Sequence, residues 1–145
     1  MPAWTVLLFA FCLADTPAAA VDPGEVKNLQ GKWQVLQHVH GGKKSEAKDL
    51  VSLTLEVTGT KSIVRDGVDI KEESVLVLLK PATKPGSVDL KITAGPDLDR
   101  IVKGIYKVVG DELTVCVAEP GKDRPREFDA AAGTGHTLMV FKRLK

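Results

Sequence analysis

Between residues 32 and 143 the chain is cut by turn-forming residues into eight short runs that suit β-strands, and no stretch carries a helical period longer than a turn or two. The runs are 32–40, 51–57, 61–65, 68–80, 87–93, 100–109, 112–118 and 136–143. The clearest is Val51-Ser-Leu-Thr-Leu-Glu-Val57, whose apolar residues alternate with Ser52, Thr54 and Glu56. That period of two is the mark of a strand with one wet face. Asp66-Gly67 and Gly110-Asp111 supply tight links, because glycine accepts the positive φ that primed hairpin turns require. Eight strands joined mostly by hairpins predict an antiparallel meander, and a meander loses its exposed edges by closing on itself. The expected fold is all-β: an eight-stranded antiparallel up-and-down β-barrel. A two-sheet β-sandwich is the alternative.

The first residues bear on compartment. Residues 4–13 form a compact apolar run of ten, and Ala18-Ala19-Ala20 meets the small-x-small rule for signal peptidase. No Lys or Arg precedes the run. Ten residues fall short of the ~20 that a membrane-spanning helix needs. The expectation is a signal peptide over 1–20, export to the periplasm or extracellular space, and no membrane anchor after cleavage. Phe11 before Cys12 does not suit lipidation. Cleavage leaves 125 of 145 residues, a length suited to one domain with a core of its own. Residues 21–27 then read as a flexible lead-in, and 28–145 as the barrel domain, with a short helical turn near 25–30.

Cleavage removes one acid, Asp15, and no base, so the net charge moves from +1 to +2. Acids and bases are interleaved, which gives no electrostatic reason to expect nucleic acid as a partner. Cys116 is the one cysteine outside the leader, so packing alone must hold the fold.

Several segments carry a resemblance. Leu29-Gln-Gly-Lys-Trp33, Gly104-Ile-Tyr106, Gly110-Asp-Glu-Leu-Thr-Val-Cys-Val-Ala118, Arg124-Pro-Arg-Glu-Phe128 and Phe141-Lys-Arg143 resemble, in this order, an uncharacterised family of roughly hundred-residue exported domains from planctomycete bacteria. That family has no established activity, so the resemblance speaks to fold. Gly31-Lys-Trp33 with Arg143 is also similar to the barrel closure of lipocalins. There a Gly-x-Trp opens the first strand and a late Arg stacks on the indole. The likeness implies a lipocalin-like barrel whose base is closed by Gly31, Trp33 and Arg143. An indole face under a guanidinium is worth ~1–2 kcal/mol when desolvated.

The inward-facing candidates are Trp33, Val35, Leu53, Leu55, Val77, Val88, Leu90, Tyr106, Leu113 and Val115. Of these, Trp33, Leu53, Leu55, Val77, Tyr106 and Val115 are the candidate ligand-binding residues, with the Tyr106 hydroxyl able to orient a ligand in an apolar cavity. The competing reading is that the same side chains simply fill a narrow barrel. His38 and His40 share a face of the first strand and His136 opens the last, so three imidazoles are weak candidates for a metal. No fourth ligand is placed for them, and no metal or other cofactor is expected. Cys116 falls on the parity opposite Leu113, Val115 and Val117 and reads as a buried, inert thiol. The 119–135 loop is long for a hairpin. Lys122, Arg124 and Arg126 could rim the barrel mouth, but Pro120, Pro125 and Phe128 favour a structural flap. No nucleophile elbow, phosphate loop or paired-cysteine zinc site is present, and no catalytic residue is assigned.

The leading expectation is therefore a monomeric, non-enzymatic binding module for a small apolar molecule held inside the barrel. The rival is a protein-interaction or envelope accessory domain with a solid core. A hydrolase comes third.

Overall fold

The structure, a computed structural model, describes residues 21–81 and 85–145; the expected signal peptide over 1–20 lies outside them. Helix α1 (Pro23–Leu29) is followed by strands β1 (Gly31–His40) and β2 (Lys43–Lys44), then helix α2 (Ala47–Leu50). Strands β3 (Leu53–Thr58), β4 (Lys61–Asp66), β5 (Asp69–Lys80), β6 (Gly86–Ala94), β7 (Ile101–Val109), β8 (Glu112–Val117) and β9 (Thr137–Arg143) complete the chain. The sheet runs β1-β3-β4-β5-β6-β7-β8-β9, every pair antiparallel. It closes where β9 pairs with β1, from Trp33 opposite Arg143 to His40 opposite Thr137. The protein is a closed eight-stranded antiparallel β-barrel with one extra short strand, not a sandwich.

The extra strand is β2, which pairs with the end of β1. Behind it α2 buries Leu50. The lead-in is also tied down rather than loose. Val21 bridges Leu79, the Asp22 amide donates to the Leu79 carbonyl at 3.0 Å, and the Asp22 carboxylate caps α1 by accepting from the Glu25 amide at 2.9 Å. Pro23 at the first helical position has no amide hydrogen to waste, and Asp before it satisfies one that would otherwise be bare. The chain 21–29 thus crosses the lower end of the barrel.

Three strands carry bulges, and these decide which side chains face inward. In β1 the register shifts between Val35 and Gln37, leaving Leu36 as the extra residue, 49% exposed. β5 carries two extra residues, Lys71 opposite the Val64–Arg65 step of β4 and Val77 opposite the Leu90–Asp89 step of β6, and β6 carries one, Thr93, opposite the Glu73–Ser74 step of β5. One extra residue moves every later side chain of that strand to the opposite face.

The buried residues form two layers. Inside the lower barrel, Leu29, Trp33, Val35, Leu79, Leu113 and Phe141 pack together. Outside, the 119–135 segment lies over β7 and β8 as a flap. Under it Ile105, Thr114 and Cys116 are buried although they point away from the barrel interior, and Pro125 and Ala130 are buried within the flap itself. Arg124 pins the flap: its Nη1 donates to the carbonyls of Val88 at 3.0 Å and Gly104 at 2.8 Å, and lies 2.6 Å from Asp89 Oδ1. Lys107 stands over the Phe128 ring at 5.0 Å. Thus the flap is structural, and its bases do not form a rim at the mouth.

Candidate functional site

The closed end is built from the opening residues of β1. Gly31 takes φ +115, a conformation open to glycine because any Cβ would clash with its own backbone. That turn drives Trp33 into the barrel floor, where it is wholly buried and its Nε1 donates to the Leu29 carbonyl at 3.0 Å. Arg143 comes from the last strand and stacks on the indole at 4.2 Å. Its Nη2 donates to the Asn28 carbonyl at 2.7 Å, its Nη1 donates to the Gln30 carbonyl, and its Nε faces Asp111 at 3.5 Å. Gly31, Trp33 and Arg143 therefore meet. A planar cation with several donors satisfies the bare carbonyls at the end of α1, which a lysine could not do from one point.

Above this floor the barrel is hollow. A cavity of about 530 Å³ runs from Leu29, Tyr106 and Phe141 to the opposite strand ends. Its walls include Leu53, Leu55, Leu76, Val88, Leu90, Val115 and Met139. At its mouth stand His38, His40, Lys71, Glu72, Asp97, Glu119 and Thr137. Two hydroxyls interrupt the apolar wall, Ser62 and Ser74, and they hydrogen-bond to each other across β4 and β5. A different hollow lies outside the barrel along 43–49, lined by charged and polar residues.

Of the candidate ligand-binding residues, Leu53, Leu55, Tyr106 and Val115 line the cavity. Trp33 does not: it lies in the packed floor below. Val77 does not either. It is the unpaired residue of the β5 bulge and stays on the outer surface, 37% exposed, while Leu76 before it and Leu79 after it turn inward. A strict period of two through 68–80 cannot show that insertion.

Tyr106 is held by an exchange with its neighbour across the sheet. Gly86 pairs with it, and a Cβ at Gly86 would lie 2.6 Å from the ring. The ring occupies the space that a side chain would have taken. Its hydroxyl is buried against the carboxylates of α1. Burial pushes the phenol pKa up, and the charge and hydrogen bonding of the Glu25 carboxylate, then the Asp22 charge, add to that.

The three histidines do not converge. His38 Nδ1 contacts Ser45 Oγ at 3.0 Å, His40 Nδ1 contacts Thr137 Oγ1 at 2.8 Å, and His136 Nδ1 contacts the Asp129 carbonyl at 3.2 Å. Among the described residues no three His, Cys, Asp or Glu side chains are grouped to hold a metal ion. The β1 bulge nonetheless changes the meaning of two of them. Trp33 and Val35 face inward below it, and His38 and His40 face the cavity mouth above it, where an unbroken strand would have placed Val39. Burial, and then the neighbouring His40, hold the His38 imidazole below its ordinary range. Cys116 lies on the outer face with its Sγ 3.5 Å from the Asp129 carbonyl, and burial raises its pKa, so it is a poor nucleophile.

The molecule is thus an antiparallel β-barrel plugged at one end and hollow toward the other. No family model, curated protein or solved structure matches the chain. Its function has to be read from its own geometry.

Proposed function

We propose that the protein is a non-enzymatic binding module that takes a small, largely apolar molecule into the barrel. One observation carries this reading: the interior is not filled. Eight strands give an interior that side chains can just occupy or that can hold one small ligand. Here about 530 Å³ remains between apolar walls, within the range of cavities that hold small molecules. An empty apolar space of that size forfeits packing contacts, and protein interiors normally close such voids. The solid-core interaction domain lacks that support. One hydroxyl meets an imidazole at the mouth, Thr137 with His40, but among the described residues no third side chain bonds that ring to orient it, so hydrolysis has less support than binding.

Export of the domain, suggested by residues 1–20, fits a carrier or scavenger of poorly water-soluble molecules, acting as a monomer. The test is native mass spectrometry of the protein purified from its source under gentle conditions. A retained molecule of a few hundred daltons, lost on organic extraction, is the expected result. A bare polypeptide mass in every preparation, with no molecule recovered by extraction, contradicts the proposal.

A further inference from the structure

We propose that the ligand is a neutral apolar molecule with a carbonyl oxygen within its body, which accepts a hydrogen bond from the Ser62–Ser74 pair in the cavity wall. This rests on the cavity reading above and names the polar group that the cavity selects.

The two hydroxyls stand in the middle of an apolar belt. Across the sheet, Ser62 lies between Val57 and Ser74, and Ser74 lies between Ser62 and Ile92. All four line the cavity. Ser62 is 8% exposed and Ser74 3%, so both hydroxyls are removed from bulk water.

The pair leaves one hydrogen over. A serine hydroxyl has one hydrogen to donate and two lone pairs. The bond between Ser62 Oγ and Ser74 Oγ uses one hydrogen, whichever side gives it. Among the described residues each oxygen has the other as its one partner, so the second hydrogen has no acceptor in the protein. A buried donor left bare is costly, and native interiors rarely keep one. Here the hydroxyls border a space of about 530 Å³ rather than packed atoms, so the acceptor comes from what fills it. A ligand that displaces water from these hydroxyls without replacing its hydrogen bond loses affinity.

The surroundings narrow the acceptor. Glu72 stands on the same face of β5, two residues or ~7 Å nearer the mouth, and repels an anionic acceptor. Burying a charge among apolar walls is costly in itself. A carbonyl oxygen only accepts, and adds no further hydrogen to be satisfied. Leu76 and Leu90 continue the wall below the pair, so the oxygen belongs to the body of the ligand and not to its inner end.

The test is displacement of a neutral apolar fluorophore, N-phenyl-1-naphthylamine, from the full chain, Ser62→Ala, Ser74→Ala and the double variant. The competitors are 1-phenylhexan-1-one and hexylbenzene, equal in carbon number and different by the carbonyl. Each is compared with itself across the proteins, so their unequal solubilities cancel. The double variant should bind the ketone about fivefold more weakly than wild type, and hexylbenzene no more weakly. Each single variant keeps one hydroxyl with its hydrogen free, so its ketone affinity should stay within about twofold of wild type. The infrared carbonyl stretch of the bound ketone should lie below its value in hexane, except in the double variant. A ketone bound equally well by the double variant, equal losses for both competitors, or a hexane-like stretch in wild type overturns the inference and leaves the cavity reading intact. That last readout needs no variant to fold. A single variant that loses as much ketone affinity as the double overturns the assignment of one spare hydrogen. Failure of the fluorophore itself to bind overturns both this inference and the reading beneath it.

Discussion

The two ends of the barrel spend their polar groups in opposite ways. At the closed end, the indole N–H of Trp33 and the guanidinium of Arg143 are matched to carbonyls of α1, and the stacked ring and cation exclude water. At the open end, the Asp97 charge and burial both disfavour the Glu72 carboxylate, and among the described residues neither acid enters an ion pair. The first arrangement is what stability requires. The second costs stability, and such costs persist where a site needs them. Substitutions at the floor should therefore weaken the fold, whereas substitutions at the mouth should leave it intact or strengthen it.

The largest effect is expected at Trp33. Trp33→Ala empties the most buried aromatic site and should lower unfolding stability by about 3–5 kcal/mol, measured by urea denaturation. Arg124→Ala should follow at about 2–3 kcal/mol, because it strands Asp89 and two carbonyls beneath the flap. Hydrogen exchange should then rise in 119–135 and not at Trp33. If it rises everywhere equally, the flap is no separate unit. Arg143→Lys keeps the charge but loses the fork, and should still cost about 1–2 kcal/mol. At the other end, Glu72→Gln should raise stability, on the order of a few tenths of a kcal/mol, since it removes a half-buried charge that its surroundings disfavour. A loss there as large as that at Arg143 would erase the contrast between the ends.

The smallest effect concerns acid. His38 has a lowered pKa in the folded state, so the unfolded chain binds more protons as pH falls through about 6.5. Stability should decline over that window, and His38→Gln should flatten part of the decline. An identical pH profile for the variant would show that His38 is not the group responsible.

Much of the closed end was legible in the sequence. Gly31, Trp33 and Arg143 sit at strand ends with a known joining chemistry, and eight turn-bounded runs define the order in which strands pair. The open end was not. The placement of His38 and His40 at the mouth depends on one inserted residue, Leu36, and the loss of Val77 from the wall depends on another insertion in β5. Alternation shows which residues share a face only while the register is unbroken. The flap was expected from Pro120, Pro125 and Phe128, but the residue that pins it was not, for a different reason. Arg124 reads as one base among several in a polar loop, and its partners are backbone carbonyls of Val88 and Gly104, which no side-chain pattern reveals. The Gly86–Tyr106 exchange did leave a signal, a glycine at a strand start opposite an aromatic, but it needs the register to be known first.

The central claim is that the barrel above Trp33 is an occupiable space. The most direct measurement is equilibrium titration of N-phenyl-1-naphthylamine against the wild-type chain and a Val115→Trp variant, which fills the mid-barrel from a wall residue. The account predicts saturable, blue-shifted emission at one probe per chain, abolished in the variant while its denaturation midpoint stays close to wild type. Emission that never saturates, or that is undiminished in the filled variant, would contradict it.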